Sequence, residues 1–331
     1  MQPTERMRFH VSTADLPATR RLSDWQEIYG RSITHVDIEP IGTDEFHADF
    51  VFHLLPSVSI AAGSRSAAHY HVTRDLAKRN ADAVLLSWVR SGAASMAQFA
   101  EESIVDVGNA VIASSTDPFK GTMLKPGSFT TLALPRRTIA ALSPNYVQYF
   151  GRTIGAESAA LRLLMRYVNM MLDEDRFADE GICRTVSDHL VDLAALVLGA
   201  RGDAAVPALQ RGARAARLAT IKFDVLRSLG DFGLSAETVA AGNGVSSRHV
   251  RRLFEEEGSS FSAYVLAERL AKAHNMLADR RFERATIARI AHECGFGDIS
   301  YFNRRFRARF GRTPSDVRRR SEDGGSRDIC R

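Results

Sequence analysis

Cysteine is scarce in this sequence, with three in 331 residues. Cys183, Cys294 and Cys330 are odd in number and scattered, with no C-x-x-C pair. That spacing argues against a disulfide framework and against a cysteine zinc site, and it fits a reducing compartment. Long apolar runs are missing too: the best stretch, His189 to Ala200, is broken by Asp192 and is too short to cross a bilayer. The N-terminal MQPTERMRFHVSTADLPATRR mixes acids, prolines and arginines and has no apolar segment. Neither a signal peptide nor a membrane partner is expected, and the protein is read as cytoplasmic. No G-x-S-x-G elbow occurs and no cysteine has a recognisable nucleophile setting, so no catalytic residue is assigned and an enzyme is not expected.

Metal ligands are incomplete. Gly63 stands six residues before His69-Tyr70-His71, which resembles the cupin metal motif G-x5-H-x-H. Only Asp75 follows as an acid nearby, and no later strand supplies another histidine, whereas a catalytic metal needs three protein ligands and an open position. The plainer account is a pair of strand histidines, one facing in and one facing out. No metal and no cofactor are expected.

Charge is present and unevenly placed. Of the net +5, residues from Arg217 onward carry 22 Lys+Arg against 15 Asp+Glu, or +7, and the rest of the chain carries −2. A basic last third is what a module meeting a polyanion requires. At this length two domains are expected.

Between about 37 and 141 short β-type runs alternate with turn signals: DFVFHLL, VSIAAGS, AVLLSWV, SMAQF, AVIAS, FTTLAL. This pattern predicts a sandwich or barrel with a sheltered interior. His53, His69, His71, Trp88 and Phe99 fall in the predicted strands and are the candidate lining of an effector pocket. Helical spacing follows over about 157–199, with Leu161, Leu164, Met165, Val168 and Leu172 on one helix and Ile182, Val186, Leu190, Leu193 and Val197 on the next, separated by an acidic turn at 173–181. These helices are expected to pack on the barrel and on each other, or to form the seam of a homodimer. The small, polar stretch 200–216 predicts a linker. A tail without regular structure is expected at 321–331.

The last third contains a repeat. Leu234 to Phe254, LSAETVAAGNGVSSRHVRRLF, aligns with Thr286 to Phe306, TIARIAHECGFGDISYFNRRF. Each copy has a small residue (Ala240, Ala291), a glycine four residues on (Gly244, Gly295), an apolar residue (Val245, Phe296), a cap (Ser246, Asp298) and then a helix bearing Arg and Phe. The alanine keeps the first helix thin at the crossing, the glycine permits a left-handed turn, and the cap starts the second helix. This is the layout of a helix-turn-helix, twice. On the second helix of each copy, Val250, Leu253 and Phe254, or Phe302, Phe306 and Phe310, form one face. Ser247, Arg248, Arg251 and Arg252, or Ile299, Ser300, Asn303, Arg304 and Arg307, form the other. A merely solvated basic face would explain one such helix but not two. Arginine matches guanine, asparagine matches adenine and an isoleucine suits a thymine methyl, so duplex DNA is the expected partner. The intervening Ser262–Leu277 run gives roughly 24 Å of helix, which would set the two motifs towards successive major grooves.

These residues resemble the DNA-binding domain of the AraC/XylS transcriptional regulators. The likeness is carried by Ala240, Gly244, Ser246, Arg248 and Phe254, by the A-x-R-L-x-x-A segment at Ala267–Ala273, by Ile290 to Phe306, and by G-x-T-P-S at Gly311–Ser315, which includes Pro314. The resemblance implies a seven-helix domain over 217–320. It places base contacts at Arg248, Arg251 and Arg252 and at Ile299, Ser300, Asn303 and Arg304. Asn243-Gly244 departs from the usual pattern and is expected to loosen the first turn, with Gly242 weakening the helix before it. Trp25, Asp117-Pro118-Phe119 and Leu134-Pro135-Arg136 resemble the family's cupin-like sensor domain, here residues 1–200. The implied whole is an α+β protein of two domains: a β-barrel with packed helices, then an all-α domain. Its implied work is activation of transcription with RNA polymerase in response to a small organic effector. Two rivals are a cupin-like metal enzyme tethered to DNA and a regulator that needs no effector.

Overall fold

The computed structural model describes residues 7–42, 45–173, 180–200 and 206–324. The chain divides into two compact units, Met1–Ala216 and Arg217–Arg331.

The first unit holds strands β1 (Met7–Ser12), β2 (Asp37–Pro40), β3 (Ala48–Leu54), β4 (Ser59–Arg65), β5 (Ala68–Val72), β6 (Ala83–Gln98), β7 (Glu101–Val105), β8 (Ala110–Ser114), β9 (Phe119–Pro135) and β10 (Thr153–Ile154). Among them lie helices α1 (Arg21–Glu27), α2 (Arg74–Ala77) and α3 (Arg136–Leu142), and after them α4 (Ala159–Asp173) and α5 (Glu180–Val197). All strands join one antiparallel sheet. Its spine is the long β6–β9 ribbon, in which Val84 opposes Leu134 and Ala97 opposes Lys120. β4 and β5 pair with the two halves of β9, and β8 and β7 with the two halves of β6. Register shifts between Val89 and Ala94 bend the ribbon, as bulges do. The expected barrel thus takes the form of a curled sheet.

Strand alternation sorts the side chains between two faces. Phe50 and Phe52 of β3, Ala68, Tyr70 and Val72 of β5, and Met123 and Phe129 of β9 converge with Trp25 and Tyr29 on one aromatic core. Trp25 and Tyr29 stack at 5.1 Å, and Tyr29 lies 5.0 Å from Phe50. On the opposite face Ile60, Leu86, Leu132 and Leu134 are buried. Helices α4 and α5 pack against each other, with Tyr167 and His189 hydrogen-bonded at 2.9 Å. The Ser57 backbone N–H donates to Ser187 Oγ, tying the β3–β4 turn to α5. Ile182, expected on the buried stripe, is 46% exposed; Cys183 is buried instead, so the stripe begins one residue later.

Helix α6, Val206–Arg227, starts inside the stretch expected as a linker. Its proline, Pro207, stands in the first turn, where a missing N–H leaves no intrahelical bond unmade. The remainder of that linker, 201–205, the core of the acidic turn, 174–179, and the tail from 325 with Cys330 lie outside the described residues.

In the second unit α6 is followed by α7 (Ala236–Asn243), α8 (Ser247–Glu255), α9 (Phe261–Ala278), α10 (Ile287–Glu293), α11 (Ile299–Phe310) and α12 (Pro314–Gly324). Helix α9 is common to two cores. Its N-terminal half gives Phe261 and Val265 to a cluster with Leu218, Ile221 and Val225 of α6, Val239 and Ala240 of α7, and Leu253 and Phe254 of α8. Its C-terminal half gives Leu270, Ala273 and Leu277 to a cluster with Ile290 and Ala291 of α10 and Phe302 and Phe306 of α11. One continuous helix of 18 residues, roughly 27 Å, therefore carries both motifs.

Candidate nucleic-acid interface

The two motifs are built by the same local chemistry. Ser235 and Thr238 form a reciprocal capping box that starts α7, and Thr286 accepts from the Arg289 N–H to start α10. At the end of each first helix the chain turns through a left-handed glycine, Gly244 at φ 63° and Gly295 at φ 83°. The next N–H then reaches back to the alanine carbonyl: Val245 to Ala240 at 3.1 Å, Phe296 to Ala291 at 3.0 Å. This is the Schellman closure of a helix C-terminus. Ala240 and Ala291 are both buried, as their place at the crossing requires.

The second helices are capped in turn. Ser246 Oγ accepts from the His249 N–H at the start of α8. Asp298 Oδ1 accepts from Ser300 at 2.7 Å and Tyr301 at 3.0 Å at the start of α11. The N–H groups of Tyr301 and Ser300 hold the Asp298 carboxyl below the usual carboxylate value. A depressed folded pKa contributes stability above the unfolded value, and that contribution is lost as pH falls through the folded one. We therefore expect the resistance of the second unit to urea to fall on acidification partly through this cap. Asp298→Asn should flatten that acid limb by a small amount, because the group is exposed and screened; an unchanged acid limb would exclude the cap as a contributor.

The predicted contact residues are placed as follows. Arg248, Arg251 and Arg252 are exposed on α8, and Ile299, Ser300, Asn303 and Arg304 are exposed on α11. Phe254, Phe302, Phe306 and Pro314 are buried beneath them. Among the described residues no side-chain hydrogen bond or ion pair engages Arg248, Asn303 or Arg304. Arg251 is paired with Glu237 of α7, and Arg252 donates to His249 Nδ1 at 2.9 Å and lies 3.8 Å from Glu256. Arg251 and Tyr301, one from each motif, line a common groove of about 480 Å³ with Glu237 and Arg269. Glu237 was not singled out from the sequence, and Arg269 and Tyr301 stood out there only as members of the Ala267–Ala273 and Ile290–Phe306 segments. Glu237 lies in the first turn of α7, where an acid is expected on dipole grounds alone. Asn243, expected to loosen the first turn, instead ties it, its Nδ2 donating to Asp224 Oδ2 and Val239 O.

The five candidates for an effector pocket do not converge. His69 and His71 share one face, because residues two apart on a strand must, and their rings lie 5.9 Å apart. That face is opposite to Ala68, Tyr70 and Val72, so the expectation of one histidine in and one out is corrected to both out. His53 and Trp88 are buried, but by alternation they lie on that same opposite face, with Ile60 and Leu86. Phe99 is 55% exposed at the β6–β7 turn. His71 and Phe99 border a groove of about 490 Å³ with Gln98 and Lys120.

Residues 239–320 match the family described as a helix-turn-helix domain, and residues 25–199 match the AraC-binding-like domain. The chain is 31% identical over 198 residues to the transcriptional activator RhrA of Rhizobium meliloti (strain 1021), covering 60% of this chain and 61% of that one. It is 26% identical over 244 residues to the transcriptional activator NphR of a Rhodococcus species, covering 73% and 71%. The match therefore spans less than two thirds of RhrA's length. Among solved structures, the AraC-like transcriptional activator CuxR aligns with a TM-score of 0.51 at 19% identity, over 87% of this chain and all of that one, which shows the shared fold. Among the described residues no helix is long and apolar enough to cross a membrane.

Proposed function

Because the chain belongs to the AraC/XylS family of transcriptional regulators, we propose that it is a cytoplasmic, sequence-specific activator whose second unit reads promoter DNA and whose first unit senses a small organic effector. The observation that carries this proposal is the pair of capped helices, each with an exposed basic face, fixed to the single helix α9. Arg304, Asn303, Ser300 and Ile299 on α11 read bases; Arg248, Arg251 and Arg252 on α8 do the same in the adjoining groove. Arg251 must exchange Glu237 for the DNA to do so. RNA polymerase is the partner at the promoter, and a homodimer through the first unit would double the site. For the effector to act, it must bind the DNA-competent state better than the alternative.

The test is sequencing of genomic fragments captured by the full chain at near-physiological salt. A few sharp sites with two half-motifs about one helical turn apart are expected. Arg304→Ala should weaken those sites by about 1–3 kcal/mol and relax preference at one base pair. Diffuse, salt-sensitive capture that Arg304→Ala leaves unchanged would overturn the base-reading role.

A further inference from the structure

A half-buried positive charge, Arg65, borders the aromatic core of the first unit, and no ion pair engages it among the described residues. Arg65 ends β4 on the same inward parity as Ala61, which packs against that core. Its guanidinium carbon lies 3.6 Å from the centre of the Tyr70 ring and 4.0 Å from that of Phe129. Its Nε is buried without a hydrogen-bond partner, and its guanidinium acts on the Tyr70 hydroxyl, where it opposes the rise of that phenol. Two further donors of the same cluster are buried and unpartnered, Tyr70 Oη and Trp25 Nε1, in side chains that are 4% and 0% exposed. Burial pushes the Tyr70 phenol up to about 12, with the Arg65 charge opposing, and raises Tyr29 as well, so both remain protonated near neutrality.

Buried polar groups are ordinarily paired, and orphans clustered in one place call for a missing partner. All three orphan atoms carry a proton to donate, so what completes them must bring acceptors. The Tyr70 and Phe129 rings both lie against the guanidinium carbon, and an arginine's N–H edge is the part that matches a carboxylate. The attraction of the ring faces softens the burial of the charge but does not neutralise it. A single guanidinium with two neutral donors balances one negative charge; a phosphate dianion would leave a second one unpaired in an apolar surround. Inward positions nearby are small: Ala68, Ala94 and Gly121, and a Cβ placed on Gly121 would meet only Met96 and Tyr70, each at 3.9 Å. Phe50, Phe52 and Met123 supply apolar walls.

We propose that this core is the effector site, and that Arg65, with Tyr70 and Trp25, receives the carboxylate of a small monocarboxylic acid with an apolar body. This rests on the reading of the first unit as an effector sensor. The test uses the full chain and three matched pairs of probes: benzoate, phenylacetate and hexanoate against benzamide, phenylacetamide and hexanamide. Thermal midpoint is one readout. The second is tryptophan emission in a Trp88→Phe background, where Trp25 is the remaining tryptophan. At least one acid should raise the midpoint and change Trp25 emission saturably, with its amide at least tenfold weaker. Arg65→Gln should weaken the acid at least tenfold while the ligand-free midpoint stays level or rises, because an uncompensated charge has been removed. Tyr70→Phe, which keeps the ring, should weaken it severalfold without loss of folding. Acids no better than their amides, or an acid effect untouched by both substitutions, would overturn the assignment. Effector sensing itself is scored separately, by whether a small-molecule cell extract alters operator retention in wild type and Arg65→Gln alike; that result with failed acids would leave the sensor standing and the carboxylate site lost.

Discussion

Phe302→Ala is expected to destabilise the second unit by about 3–5 kcal/mol, the range for removing a fully buried phenylalanine, and to abolish specific retention of operator DNA. Phe302 is 0% exposed and lies 5.0 Å from Phe296 and 5.4 Å from Phe306 by ring centres. Phe306 continues the row to Phe310 at 4.7 Å and stacks on His274 of α9. The substitution therefore opens a cavity in a contact row that holds α11 against α9 and against its own turn. Domains of this size are stable by about 5–15 kcal/mol in all, so the loss removes a large share. Two-domain unfolding need not be two-state, and the prediction is read on the transition that operator DNA shifts. A variant that keeps its midpoint and its operator would show that α11 is held by something other than this row.

Much of this second unit was legible in the sequence because its signals are local. Caps, left-handed glycines and a 3.6-residue stripe are each decided within a few residues, so the repeat at 234–254 and 286–306 specified both motifs before any fold was known. What was not legible is non-local. The pairing of Arg251 with Glu237 bridges two helices, and the clamp of Arg269 on Leu229 and Asp231 bridges about forty residues. In the first unit the strands announced themselves, yet the pocket candidates were chosen by residue type, and type does not tell which face of a sheet a side chain takes. Strand parity does: with β4 bounded at Ser59–Arg65, Arg65 falls on the face of Ala61, and with β5 bounded at Ala68–Val72, His69 and His71 must leave the face of Tyr70. Residues 206–216 of the stretch expected as a linker are helical for a related reason, since alanines are good helix formers whatever their neighbours suggest.

The two glycine turns should respond very differently to the same change. Both residues lie in the left-handed region, so a Cβ at either costs about 1–2 kcal/mol of backbone strain. At Gly244 that is all, because a Cβ there meets nothing within 4 Å. At Gly295 it would stand 2.3 Å from the Leu229 carbonyl oxygen and 2.8 Å from Arg269 Cζ and Nε. That oxygen accepts from Arg269 Nε at 2.9 Å, while Arg269 Nη2 donates to Asp231 O at 2.7 Å. The added methyl thus pushes on a clamp that ties the end of α6 to α9 beside the second turn, and breaking hydrogen bonds to a charged donor adds about 1.5–3 kcal/mol. Gly295→Ala is expected to cost about 3–5 kcal/mol in total and to misdirect α11, whereas Gly244→Ala should stay near the strain alone and keep the operator. Urea midpoints of the two variants, measured side by side with operator binding, decide it. Equal costs would mean that the Arg269 clamp yields freely, and that the second motif is positioned by its phenylalanine row and not by the turn.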